Sequence, residues 1–237
     1  MYGESGSLFT LMRIKSIEPH LLSCPLPEPV VYPFQGGQRT IYKRDAMVVR
    51  IETEDGTVGY APGVASEENV RKIRKDITPL LLGTKLSNPS SFVDELVDQQ
   101  GDCIWSAAGS VEVALFDLWG KANQCSVTEF FGGRKQQKVS CYGSAGMYQS
   151  PEKYAEEAAA VCELGFEAYK FRPALGPAED LRTVELMRMA LKEGVGLCLD
   201  AHTWWRMGDN SYSSAIVEFL AEAISSHDIT WLEEPLP

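Results

Sequence analysis

From about residue 139 onward the sequence repeats one unit, a short apolar strand followed by a turn and an amphipathic helix. The spacing predicts strands over residues 139–142, 168–171, 196–201 and 229–232, with helices over 150–164, 177–193 and 210–225 between them. A helix carries the chain back to the end where the previous strand began, so this alternation implies a parallel sheet. The first of these helices shows the expected punctuation. It opens on Ser150-Pro151-Glu152, has apolar side chains at Tyr154, Ala155, Ala158, Val161 and Cys162, and stops at Gly165. A strand-helix unit takes about 30 residues and a closed eight-unit barrel about 250. Residues 136–237 are therefore read as the first half of a TIM-type α/β barrel domain.

The charged residues of these strands are also periodic. Lys170, Asp200 and Glu233 recur at intervals of 30 and 33 residues, each at the C-terminal end of an expected strand, where barrels carry their catalytic groups. Side chains alternate between the two faces of a strand, so Lys170 and Arg172 share a face, as do Cys198, Asp200 and His202. If Leu232 packs against the helices, Glu233 points inward and Glu234 away. The competing reading is a set of strand-end ion pairs such as Asp200 with Lys170. Inward-facing charges at three successive strand ends are costly without a metal or partner, which favours a site. Two converging carboxylates without thiolate or imidazole clusters suit a hard cation, Mg²⁺ before Mn²⁺. Cys198 and Glu234 are assigned no function.

Residues 1–135 read as an α+β unit. Strands are expected over 13–17, 46–52 and 58–61, with a turn at Glu54-Asp55-Gly56, and helices over 66–77, 88–99 and 106–123. Residues 25–37 hold Pro25, Pro27, Pro29 and Pro33 beside Gly36-Gly37, a composition that predicts a long irregular loop.

Lys and Arg total 22 against 33 for Asp and Glu, a formal charge of -11 that disfavours nucleic acid and anionic membrane as partners. An anionic substrate needs a local cationic site within this field. The six cysteines are scattered without zinc-type spacing, which predicts free thiols and a cytoplasmic location. Met1 to Ser16 lacks an apolar core of signal-peptide length, and no run approaches the roughly 18 apolar residues of a membrane span.

The segment from Ser106 to Lys121, SAAGSVEVALFDLWGK, resembles the signature helix of the mandelate racemase and muconate lactonizing enzyme group of the enolase superfamily. Lys170-Phe171-Arg172 resembles that group's K-x-K element, Asp200-Ala201-His202 its D-x-N element, and Glu233-Glu234-Pro235 its E-x-P element, in the family's order and spacing. The resemblance implies an N-terminal α+β capping domain followed by the barrel. The capping domain would have a substrate-closing loop over about residues 20–42, including Tyr32 and Phe34. It implies an Mg²⁺-dependent enzyme acting on a small carboxylate such as a sugar acid. The metal would stabilise the enediolate formed when a base takes the alpha proton. By position Asp200 and Glu233 would ligate the metal, Lys170 would neutralise the substrate carboxylate, and Arg172 would stand where the family has its base lysine.

Two departures shape the expected chemistry. Arginine stays protonated at ordinary pH, so Arg172 is expected to clamp charge rather than abstract a proton. His202 in place of asparagine either gives a proton to a leaving hydroxyl or serves as a hydrogen-bonding substitute. Together they favour dehydration of a sugar acid over racemisation or cycloisomerisation. The family's third metal ligand and its His-Asp base would lie on later strands, so the chain is read as truncated after the fourth barrel strand. The rival readings are a catalytically incomplete fragment or interaction module, and an ordinary α/β binding domain without a metal site. A half barrel exposes two strand edges and favours self-association, and the full-length form is expected to be a homo-oligomer.

Overall fold

The structure, a computed structural model, describes residues 12–86, 88–93, 96 and 104–237. They divide into two compact units, one containing residues up to 26 with 43–137, the other residues 27–42 with 138–237. The expected helix over 88–99 lies partly outside the described residues, as do Cys103 and residues 1–11. At its start the Asn88 side chain accepts from the Ser90 N–H at 3.0 Å.

An antiparallel sheet leads the chain, in the order β3-β2-β1-β4, with β1 at Met12–Phe34, β2 at Gly37–Thr53, β3 at Val58–Gly63 and β4 at Lys85–Leu86. Alternate residues of β2, Met47, Val49, Ile51 and Thr53, are buried, the pattern of a strand with one wet face. The helical stretch after it is α1 (Glu67–Lys72), a π-helical turn (Ile73–Ile77) and α2 (Thr78–Leu81), opened by the Ser66 hydroxyl accepting from the Asn69 N–H. Helix α3 (Trp105–Asn123) buries Ala107, Ala108, Val111, Ala114, Leu115, Leu118 and Trp119, one face at helical spacing. It lies so close to β3 that a Cβ on Gly59 would meet the Ala114 carbonyl at 2.3 Å. The short α4 (Val127–Phe130) closes this part of the chain.

The irregular loop expected over residues 25–37 is instead a hairpin. Strands β1 and β2 run 23 and 17 residues and meet at the Gln35-Gly36 turn. The prolines permit this because all four occupy odd positions. In a strand, every second residue directs its N–H and C=O to the same side. Their missing donors therefore share one edge of this stretch of the strand, and the even-numbered residues between them keep the donors of the other edge.

The second unit holds a parallel sheet in the order β5-β6-β7-β8. The chain runs β5 (Gly143–Met147), α5 (Pro151–Glu163), β6 (Ala168–Arg172), α6 (Pro177–Ala190), β7 (Gly196–Asp200), two 3₁₀ turns, α7 (Ser214–Ser225) and β8 (Ile229–Glu233). The Ser150 and Ser213 hydroxyls cap α5 and α7 by accepting from the Lys153 and Ile216 N–H groups. One barrel strand departs from expectation: residues 139–142 precede the sheet, and β5 is the glycine-rich stretch after them. Smallness is what the position requires, because a Cβ on Gly143 would meet Val161 of α5 at 2.2 Å. Tyr169, Phe171, Leu197, Leu199 and Ala201 form one apolar cluster with Tyr154, Ala158, Val184, Met187, Val217, Leu220 and Ile224 of the helices. The opposite face is left for charge. An antiparallel α+β cap sequence followed by a four-stranded parallel α/β sheet is the expected partial barrel.

Candidate active site

The inward positions of β6, β7 and β8 converge. Register pairs Lys170 with Cys198 across β6 and β7, and Asp200 with Glu233 across β7 and β8. The Lys170 ammonium reaches Glu233 Oε1 and Oε2 at 3.1 and 2.9 Å and Asp200 Oδ2 at 3.3 Å. Arg172 Nε donates to the same Asp200 oxygen at 3.1 Å, and His202 Nδ1 lies 2.5 Å from Asp200 Oδ1. Asp200 is therefore contacted by three cationic or potentially cationic groups, and Lys170 bridges both carboxylates.

Lys170 and Asp200 are 7% and 4% exposed, so this is a largely desolvated ion network. Burial works against the Lys170 charge, but hydrogen bonding and attraction to Glu233 and Asp200 outweigh it and raise its pKa. Burial likewise opposes the Asp200 charge, and His202 and Lys170 overcome it, holding the carboxyl below its ordinary range. Aromatic side chains flank the network: the Trp231 indole N–H donates to Glu233 at 3.2 Å, and the Trp231 and Tyr142 rings meet edge to face at 5.1 Å.

His202 lies just past β7, as the first residue of a 3₁₀ turn (His202–Trp205), and reaches back to Asp200. The turn is fixed from beneath. The Thr203 hydroxyl donates to the Pro173 carbonyl at 2.5 Å, and the Trp204 indole donates to Asp180 at 3.0 Å. Asp180, in the first turn of α6, also accepts from the Tyr212 hydroxyl at 2.7 Å and the Leu175 N–H at 2.9 Å. Glu234, with φ of 46°, turns away from Glu233; its carbonyl accepts from Trp205 and its carboxylate faces Arg206 at 3.8 Å.

Two clefts of the second unit border these residues. One, of about 410 Å³, is lined by Phe34, Gln38, Arg39, Tyr148, His202, Thr203, Arg206 and Met207. The other, of about 570 Å³, contains Tyr32, Ser144, Lys153, Glu157 and Arg172. Tyr32 packs on Tyr148 with ring centroids 5.6 Å apart, so the hairpin tip joins both clefts to the sheet. Of the residues marked in the sequence, Lys170, Arg172, Asp200, His202 and Glu233 form one network, and Tyr32 shares a cleft with Arg172. Sequence reasoning missed Arg39, Arg206 and the Asp180 network. The first two sit in non-periodic segments, while Asp180 had a legible signal as an acidic residue in a helix's first turn.

Both site carboxylates offer hard oxygens, and a cationic ammonium already stands between them, so Asp200 and Glu233 fit as part of a divalent-cation donor set. Among the described residues, no group of three or more His, Cys, Asp or Glu side chains is arranged to hold a metal ion.

A parallel sheet whose successive strand ends carry Lys, Asp and Glu, preceded by an antiparallel α+β section, defines the class of enolase-type barrel proteins. Residues 23–132 match the N-terminal domain of mandelate racemase / muconate lactonizing enzyme, and residues 153–237 match the enolase C-terminal domain-like family. The chain belongs to the mandelate racemase/muconate lactonizing enzyme group of the enolase superfamily. It is 23% identical over 236 residues to an N-succinyl-L-Arg/Lys racemase of Bacillus cereus, covering 95% of this chain and 60% of the racemase. It is 28% identical over 202 residues to an L-rhamnonate dehydratase of Saccharopolyspora erythraea, covering 80% and 47% respectively. A dipeptide epimerase of Enterococcus faecalis, crystallised with Mg and the dipeptide L-Leu-L-Tyr, superposes with a TM-score of 0.75 at 23% identity, over 95% of this chain and 62% of that one. The chain spans less than two thirds of each of these proteins. Racemase and epimerase names are the more common among the relatives, beside dehydratase and cycloisomerase. No helix among the described residues is long and apolar enough to cross a membrane.

Proposed function

We propose that this chain carries the metal-binding and carboxylate-recognising part of an enzyme that removes the proton alpha to a carboxylate, with dehydration of a sugar acid as its reaction. The observation that carries this reading is the Lys170 ammonium held between Asp200 and Glu233 at adjacent strand ends, a point where the fold gathers oxygen donors around positive charge. In this reading Asp200 and Glu233 hold Mg²⁺, with Mn²⁺ as a substitute. Bound there, the ion supplies Lewis-acid polarisation of a carboxylate. Lys170 neutralises the substrate carboxylate. Arg172, oriented by its contact with Asp200, holds negative charge without accepting a proton. His202, which lines a cleft and is oriented through Nδ1, gives a proton to the departing hydroxyl, and Tyr32 contacts the substrate beside Arg172. Free thiols suit a cytoplasmic setting for this chemistry.

The abundance of racemase and epimerase names among relatives favours a second reading, proton removal and return at one carbon. Incubation of the 237-residue chain with an acid-sugar library and Mg²⁺ in D₂O separates the two. A 2-keto-3-deoxy acid supports dehydration, and deuterium at the alpha carbon without that product refutes it. Calorimetric titration with Mg²⁺ checks the metal assignment independently: binding is expected in the wild type and lost in Asp200→Asn. Mg²⁺ binding with neither product nor exchange would support the reading of a catalytically incomplete fragment.

A further inference from the structure

We infer that the cleft holding His202 selects a substrate with a second anionic group, bound by Arg39 and Arg206, at the end remote from the reacting carboxylate. The inference deepens the proposed function and rests on it for the identity of the first carboxylate. In a chain of formal charge -11, this cleft has two arginines and a histidine and no acidic side chain among its lining residues. Arg39 comes from the hairpin, is exposed, and makes no ion pair among the described residues. Arg206 comes from the loop after β7; its guanidinium lies 4.3 Å from the Trp205 ring centroid, and its carboxylate partner, Glu234, is distant at 3.8 Å and half exposed. Stacking orients the guanidinium while a long, exposed ion pair leaves most of its donors for a ligand. The remaining lining is suited to a short carbon stem: Phe34, Tyr148 and Met207 give apolar contact and Gln38 a polar one. A volume of about 410 Å³ is in the range of small-molecule sites, and the planar donor fork of arginine matches carboxylate and phosphate alike.

Three ligands with one six-carbon stem test this: gluconate, ending in a hydroxymethyl group, glucarate, ending in a carboxylate, and 6-phosphogluconate, ending in a phosphate. Binding is read by tryptophan fluorescence, because Arg206 stacks on Trp205, and by calorimetry, with Mg²⁺ and with EDTA. The expected result is tighter binding of glucarate or 6-phosphogluconate than of gluconate, by about tenfold or more, with the better of the two identifying the terminal group. Arg39→Gln and Arg206→Gln should each reduce the preference about tenfold, and circular dichroism should show both variants folded. Equal binding of all three ligands, no binding at millimolar concentration, or a preference abolished by Lys153→Gln but kept in the double arginine variant overturns the inference. Discrimination that persists in EDTA while wild-type Mg²⁺ binding fails would refute the metal reading and leave this one standing.

Discussion

Asp180 is buried against three donors that carry no charge, the Leu175 N–H, the Trp204 indole and the Tyr212 hydroxyl. Burial pushes its carboxyl up to about 6 from 3.8, although the three hydrogen bonds pull it down. Because the folded-state value is the higher one, the folded protein binds more protons between these values, and stability falls as pH rises through that window. The contribution is fully present below pH 4, is lost by about pH 6 to 7, and amounts to about 3 kcal/mol at 1.36 kcal/mol per unit. Urea unfolding of wild type and Asp180→Asn at pH 4.5 and 7.5 should show this as a stability difference between the two proteins that changes with pH. An unchanged difference would contradict it. The Trp204 link makes Asp180 a positioning residue for the turn bearing His202, so the same substitution should also loosen that turn.

At the scale of elements, the hairpin tip is held within the second unit by specific contacts. The Gln35 N–H donates to the Ala174 carbonyl at 2.7 Å, and Gly36, at φ of 80°, sits where a Cβ would meet the Asn210 amide at 2.2 Å. Gly36→Ala should therefore cost about 1–2 kcal/mol, from the left-handed backbone and the displaced side chain. Faster hydrogen exchange at the Gln35 amide is the measurement that checks it. The tip also shows where the sequence was hard to read. Four prolines and a glycine pair signal an irregular loop, and only their common parity, which composition does not express, permits a strand. Likewise β5 opens on glycine, serine, alanine and glycine, with α5 close at Gly143, so β-propensity pointed to residues 139–142 instead. The charged strand ends were legible because two simple periods, one within a strand and one between strands, put Lys170, Asp200 and Glu233 in phase. Arg39 and Arg206 belong to no period and could be found only from the fold.

The molecule separates into two units, and both carboxylates assigned to the metal lie in the second. Mg²⁺ should therefore slow hydrogen exchange over β6, β7 and β8 and leave the amides of β3 and α3 in the first unit unchanged. Equal protection in both would contradict a site confined to one unit. The hairpin shared between the units brings a different consequence. Along one edge of its first strand Pro25, Pro27, Pro29 and Pro33 each lack an amide hydrogen. Another polypeptide seeking to extend the ribbon there would find alternate rungs of the ladder absent. A strand of 23 residues can thus pair with β2 and still offer few amide donors along one edge of its proline-bearing stretch.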